Sequence, residues 1–281
     1  MSTAVLLAVL GSALMHGTWN AIAKLIPHRL VSSALIGIAY LVIGGIACLV
    51  LPLPEAASVP ALLVSVALQT GYLVLLTAAY AKSDFGTIYP LMRGFAIVLV
   101  TAVSVGVLGE VLAPAQLLGV LVIVGALAVL ALRRSETQSR AGLLLGLAVG
   151  ATVASYSLVD GIGVRAAGST LSYAAWLFFL QGLTVPVTCF LLSRERRGFG
   201  QALRQYARPG LLGGTLSLLA YGVVVWAQAQ APLALVSALR ETGVIAAVFV
   251  GWLVFGEKLT ARGIGASALV VGGIVLLRLG G

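Results

Sequence analysis

The chain has 281 residues, 60% of them hydrophobic and only 9% charged, with a mean hydropathy of +1.12 and a formal net charge of +9. Soluble domains carry about 25% charged residues, so there is too little polar surface here to face water, and the solvent of the fold is lipid. The positive charge is therefore assigned to cytoplasmic loops and anionic lipid rather than to a nucleic-acid surface.

A helix needs about 20 mostly apolar residues to cross a bilayer. Breaks at charges, prolines and polar clusters predict ten such spans: 4–25, 31–51, 59–80, 86–108, 115–132, 141–162, 170–192, 209–229, 233–255 and 262–279. The expected fold is an all-α membrane protein with no room for a soluble domain. The longest polar connection, "SRERRGFGQALRQYARP" (193–209), is expected as a loop or surface helix.

The first span lacks a basic leader and carries His16, Trp19 and Asn20, so it reads as a retained helix and not a cleaved signal. Their i, i+3, i+4 spacing places all three on one face. They either line a cavity or form a packed, hydrogen-bonded cluster. In the second span Gly45 is a hinge candidate, with Pro186 at the matching place in the seventh. Pro186 removes a backbone hydrogen bond and is expected to bend its helix, as a hinge or a static kink. Cys48 and Cys189 lie within apolar runs, so no disulfide framework is expected. Gln69 and Tyr72 share a face of the third span.

The fourth span carries Tyr89 and Arg93 one turn apart. A guanidinium within hydrocarbon needs a partner or a task. No acid is expected at its depth, although Asp84 lies near that end of the span. The fifth span has Gly119 and Ala126, the tenth Gly265 and Gly272, both at spacing seven. Small residues so spaced form a smooth stripe, and these two helices are expected to pack along it. Asp160 falls near the end of the sixth span, at a depth suited to a structural pair with Arg240. Tyr72, Tyr156, Tyr173, Trp176, Tyr221 and Trp252 offer rings for a planar or cationic substrate, or simply pack. Tyr173 shares a face with Trp176, and Tyr221 with Gln228. In the ninth span Arg240 follows Ser237, and Glu241, about 100° further round an uninterrupted helix, is expected to face elsewhere. Arg93 and Arg240 each have the fork that clamps a carboxylate or phosphate. Asp84, Asp160 and Glu241 are the acids available for a gate or for ion coupling.

The chain also repeats itself. Residues 92–112, "MRGFAIVLVTAVSVGVLGEVL", align with 239–259, "LRETGVIAAVFVGWLVFGEKL". Arg93 falls on Arg240 and Gly109-Glu110 on Gly256-Glu257, while Cys48 falls on Cys189 at a shorter offset. Two five-helix halves are expected, 1–135 and 136–281, and because five is odd the second is inverted. Of 17 lysines and arginines, thirteen fall in loops after odd-numbered spans and two after even-numbered ones. The basic side is cytoplasmic by the positive-inside rule, so both termini are expected outside.

Two five-helix halves, each with "GE-x-L" after its fourth helix (Glu110-Val111-Leu112, Glu257-Lys258-Leu259), resemble the EamA-type branch of the drug/metabolite transporter superfamily over essentially the whole chain. The resemblance implies a bundle around a central cavity, alternating access, and small metabolites as cargo, with amino-acid exporters among the nearest types. Members of the superfamily also carry sugar phosphates, nucleotide sugars, choline and drugs. Many have cytoplasmic termini, the reverse of the loop bias here. The expected protein is a monomeric secondary transporter of the cytoplasmic membrane, with a small-molecule substrate and the lipid bilayer as its partners. No nucleic-acid partner, cofactor or metal is expected: there is no phosphate-binding loop, no H-E-x-x-H and no His/Cys cluster. Export of cationic or aromatic drugs or of phosphorylated metabolites is the alternative within transport. A lipid-modifying membrane enzyme is the alternative of another class.

Overall fold

A computed structural model describes residues 1–80, 82, 85–131, 139–194, 196–243, 245 and 260–280, without the side chains of 24, 80 and 85–87. Asp84, Trp252 and the Gly256-Glu257 pair lie outside the described residues. The helices are α1 (Thr3–Lys24), α2 (Arg29–Val50), α3 (Val59–Tyr80), α4 (Phe85–Gly106), α5 (Pro114–Ala131), α6 (Arg140–Arg165), α7 (Thr170–Leu192), α8 (Arg196–Gln205), α9 (Ala207–Gln228), α10 (Leu233–Arg240) and α11 (Ala261–Leu279). There is no strand among the described residues. Among the described residues, nine spans are long and apolar enough to cross a membrane. The chain is a multi-pass membrane protein, and α8 is a short polar helix in the longest connection.

Local chemistry sets several helix starts. Side chains of Ser2, Ser139, Ser169 and Thr260 each accept a hydrogen bond from the backbone N–H three residues on. Such caps satisfy donors that a helix cannot satisfy itself. The outer faces are apolar: Leu49, Val111, Leu171 and Leu279 are among many exposed large hydrophobic side chains. In water that would be a liability; in a bilayer it is the solvated surface.

Inside, α2 packs on α7, α5 on α11, α3 on α6 and α1 on α9, with α4 between α5 and α6. The expected contact between the fifth and last helices is present, but its face differs by one residue. A methyl group on Gly119 would lie 2.7 Å from the carbonyl oxygen of Gly273, so two backbones meet there and only glycine fits. Ala126 packs with Ala266 and Val270. Gly265 and Gly272, expected in the stripe, are exposed and would meet nothing. The last helix offers adjacent small residues, Gly265-Ala266 and Gly272-Gly273, and a rotation of about 100° moves its side of the seam from Gly265/Gly272 to Ala266/Gly273.

α7 runs as one helix through Pro186, which faces Gly37 of α2. Gly45 sits beside the Phe179 ring, at ordinary contact distance for an added methyl. This pair is part of a packed seam between α2 and α7.

α10 ends at Arg240, well short of the ninth span's expected end at 255. Residues 244 and 246–259 lie outside the described residues.

Candidate functional site

Three charges from α4 and the end of α10 meet within the bundle. The Arg93 Nε–H donates to Glu241 Oε2 at 2.6 Å, and Arg240 Nε lies 3.5 Å from Glu241 Oε1. All three residues are buried. Two expectations are corrected here: Arg93 has an acid at its depth, and Glu241 does not face elsewhere. The cause is the end of α10. Glu241 and Thr242 donate their backbone N–H groups to Ala238 and Leu239, three residues back. This tighter turn replaces the helical ladder, so the sequence offset no longer gives the direction of the Glu241 side chain.

The sharing is unequal. Glu241 meets Arg93 at hydrogen-bond distance, whereas Nε and Nη2 of Arg240 have no hydrogen-bond partner among the described residues. Within this described cluster, two guanidiniums and one carboxylate leave one positive charge unmatched. Arg93 also lies over the Tyr89 ring, 5.9 Å from its centroid, a distance at which cation and ring attract.

Asp160 does not pair with Arg240, as the structural alternative expected. Its carboxylate accepts from Tyr173 Oη at 3.0 Å, Tyr221 Oη at 2.6 Å and Gln69 Nε2 at 3.2 Å. These donors come from α7, α9 and α3, so one carboxylate ties four helices together. Neutral hydroxyls and an amide reach it first, which leaves Arg240 to Glu241. Gln69 also bonds Ser65 on its own helix.

The aromatics form a connected series: Tyr72 meets Tyr156, Tyr156 meets Tyr221, and Tyr221 meets Phe178, with centroids 6.0, 6.1 and 6.3 Å apart. All three contacts are edge-on, the geometry that ring quadrupoles favour. Tyr72, Tyr89 and Tyr221 are half-buried, and Tyr72 lies within electrostatic range of both arginines.

The α1 residues lie nearby. His16 is in electrostatic range of Arg93 and Arg240, its ring packs edge-on against Trp19 at 5.0 Å, and Asn20 Nδ2 donates to the His16 carbonyl at 2.7 Å. Trp176 stands apart, packed edge-on against Phe179. Gln228 shares its face with Tyr221 as expected, and both grip α6, at Ser157 and Asp160. A groove of about 520 Å³ between α2, α7 and α8 is lined by Phe190, Arg196 and Phe199, none of them part of this cluster.

Sequence reasoning found the "GE" pair but not its job. Gly109 has φ +69°, a backbone that favours glycine. It turns the chain so that Glu110 accepts from the Leu233 N–H with both carboxylate oxygens, at 3.0 and 2.8 Å. Leu233 is the first residue of α10, where a negative charge meets the positive end of the helix dipole. Arg165 completes the contact, donating to Glu110 at 3.0 Å and to the carbonyls of Gln228 and Ala231. The signal for Arg165 was its isolation: in the sequence it is one of only two basic residues assigned after even-numbered spans.

Comparison with known proteins agrees with this architecture. Residues 140–279 match the EamA-like transporter family. A solved crystal structure, carrying no description beyond that of a protein, superposes with a TM-score of 0.69 at 17% identity, over 99% of this chain and 96% of the other. That likeness is one of fold. No curated protein matches the chain. The family match over the second half supports a membrane transporter of the drug/metabolite type.

Proposed function

We propose that the protein is a secondary transporter that moves small polar metabolites, amino acids foremost, by alternating access between two inverted five-helix repeats. One observation carries the reading: a buried guanidinium, Arg240, with two donors unmatched among the described residues inside a membrane-spanning bundle. An unmatched charge there is costly, and a substrate carboxylate is a group that fits its fork. The half-buried side chains of His16, Asn20, Gln69, Tyr72, Tyr89 and Tyr221 would supply the remaining polar and aromatic lining. Arg93, already bonded to Glu241, holds the cluster together and is not the first contact for substrate.

Helix pairings support the inverted plan. α3 packs on α6 and α7, and its counterpart α9 packs on their counterparts, α1 and α2. The contacts α2–α7, α4–α10 and α5–α11 each join a helix to its own counterpart. Such a two-fold relation lets one arrangement open to either side.

The connected tyrosines favour a second reading, export of cationic aromatic compounds, because ring faces attract cations. Both readings meet one test. Purified protein in liposomes is given a labelled amino-acid panel and a labelled cationic aromatic dye, with and without a proton gradient. Amino-acid uptake above that of protein-free liposomes supports the first reading. Uptake of the dye alone supports the second, and uptake of neither overturns both.

A further inference from the structure

We infer that the site recognises a zwitterion, with Arg240 binding the carboxylate and Asp160 the ammonium of one small molecule. The inference rests on the transport reading above and sharpens it from polar metabolites to molecules that carry both charges.

Two buried charges lack a full partner, and they have opposite signs. Arg240 is 3% exposed, with Nε and Nη2 making no hydrogen bond to a described residue. Glu241, 3.5 Å from its Nε, neutralises it only in part, because the other carboxylate oxygen is held by Arg93 at 2.6 Å. Asp160 is 0% exposed. Among the described residues no cationic side chain touches it, and its described partners are neutral: Tyr173, Tyr221 and Gln69, with the Ser65 hydroxyl also beside it. These neutral contacts reduce the cost of the buried anion but do not cancel its charge. Arg240 and Asp160 are close enough for their charges to couple, yet they make no ion pair with each other.

A single ion of either sign leaves one of the two unmatched. A zwitterion completes both: its carboxylate meets the spare fork of Arg240, and its ammonium supplies the cation that Asp160 lacks. Two half-buried side chains stand at Asp160, Gln69 and Tyr221. Gln69 makes the longest of the three bonds, 3.2 Å. Its amide can turn over to offer Oε1 to an incoming ammonium, because a primary amide carries both a donor and an acceptor. Tyr221 keeps its bond to Asp160 and packs its ring on Tyr156. Asp160 is thus the specificity-determining residue for the amino group, and Arg240 for the carboxylate.

The test uses the full chain in liposomes. The probes are leucine, phenylalanine and serine, each with its N-acetyl derivative, which lacks the cation, and its decarboxylated amine, which lacks the anion. In the wild-type protein each amino acid should compete for uptake of its labelled self at least tenfold better than either derivative, the size of one charge-assisted contact. Asp160→Asn should weaken competition by the amino acid by tenfold or more and leave the N-acetyl derivative unchanged. Arg240→Gln should do the same relative to the amine.

Uptake of labelled amino acid with equal competition by the N-acetyl derivative overturns the inference and leaves the transport reading standing. This comparison needs no variant, so it holds even where a variant fails to fold. An Asp160→Asn protein that keeps wild-type selectivity and loses only its response to a proton gradient also overturns it, and makes Asp160 a coupling group. Uptake of no amino acid in the panel removes the transport reading and this inference together.

Discussion

Replacing Glu241 tests the charged cluster directly, because structure and sequence pattern predict opposite results. On an uninterrupted helix Glu241 faces away from both arginines, and Glu241→Gln is harmless. In the structure it is the one described carboxylate shared by Arg93 and Arg240, at 2.6 and 3.5 Å. With all three ionised the cluster carries one net positive charge. Glu241→Gln raises that to two and leaves two buried guanidiniums with no anion. Arg93→Gln lowers it to zero and leaves Glu241 entirely to Arg240. Removing one partner of a buried ion pair costs about 3–5 kcal/mol, which Glu241→Gln should show in full. Arg93→Gln loses one charge-assisted hydrogen bond, about 1.5–3 kcal/mol, part of which the relieved repulsion returns. At about 2–4 °C per kcal/mol, Glu241→Gln should melt roughly 6–20 °C below wild type, and Arg93→Gln should lie between the two. Detergent-solubilised protein, followed by thermal unfolding with size-exclusion profiles as the folding control, measures the order. Glu241→Gln melting within about 2 °C of wild type, or below it by less than Arg93→Gln does, would refute the shared-carboxylate reasoning.

At the seam between α5 and α11, Gly273→Leu should overpack against Gly119 and Ile123 and cost about 1–3 kcal/mol. Gly272→Leu, which meets open space, should melt with wild type; the reverse order would put the seam back on the sequence-predicted face. Glu110→Gln keeps an acceptor for the Leu233 N–H but removes the charge from the α10 terminus and from Arg165, whose side chain is 37% exposed. The dipole contribution of about 0.3–1 kcal/mol and a screened ion pair of at most about 1 kcal/mol together predict a fall of a few degrees, and an unchanged melting curve would mean that Glu110 does not hold α10. The loop charges predict outward termini, so a reporter active only outside the cytoplasm should work when fused after Gly281. Its silence beside an active cytoplasmic reporter would invert the topology.

The long helices were legible because lipid leaves the backbone few options. A run of apolar residues in hydrocarbon must satisfy its own hydrogen bonds, and the first span, expected over 4–25, forms as Thr3–Lys24. The contact of α5 with α11 was legible for a related reason: between helices in lipid, close approach requires small residues. The rotation of that contact was not legible. Gly265-Ala266 and Gly272-Gly273 place a small residue on each of two neighbouring faces, and lipid does not mark one of them as the outside, as water marks a polar face. Asp160 was legible as an isolated intramembrane acid. Its three donors were not, because Gln69, Tyr173 and Tyr221 lie on three other helices, and no spacing within one helix encodes a contact between helices.

Glu241 was missed for a different reason, and that reason ties the "GE" pair to the site. A helical offset holds only while the helix continues, and α10 stops after eight residues. At 1.5 Å per residue it is a rod about 12 Å long. At its first residue, Leu233, the backbone N–H is held by Glu110, which Arg165 fastens to the end of α9. At its last residue stands Arg240, followed at once by the carboxylate that Arg93 and Arg240 share. A rod this short has little freedom to bend, so the position of its first residue fixes that of its last. Glu110, although it touches no residue of the charged cluster, is therefore one of the residues that place the Arg240 fork. Gly109-Glu110 thus has a physical use: the loop after α4 holds the start of a helix whose other end presents an arginine within the bundle.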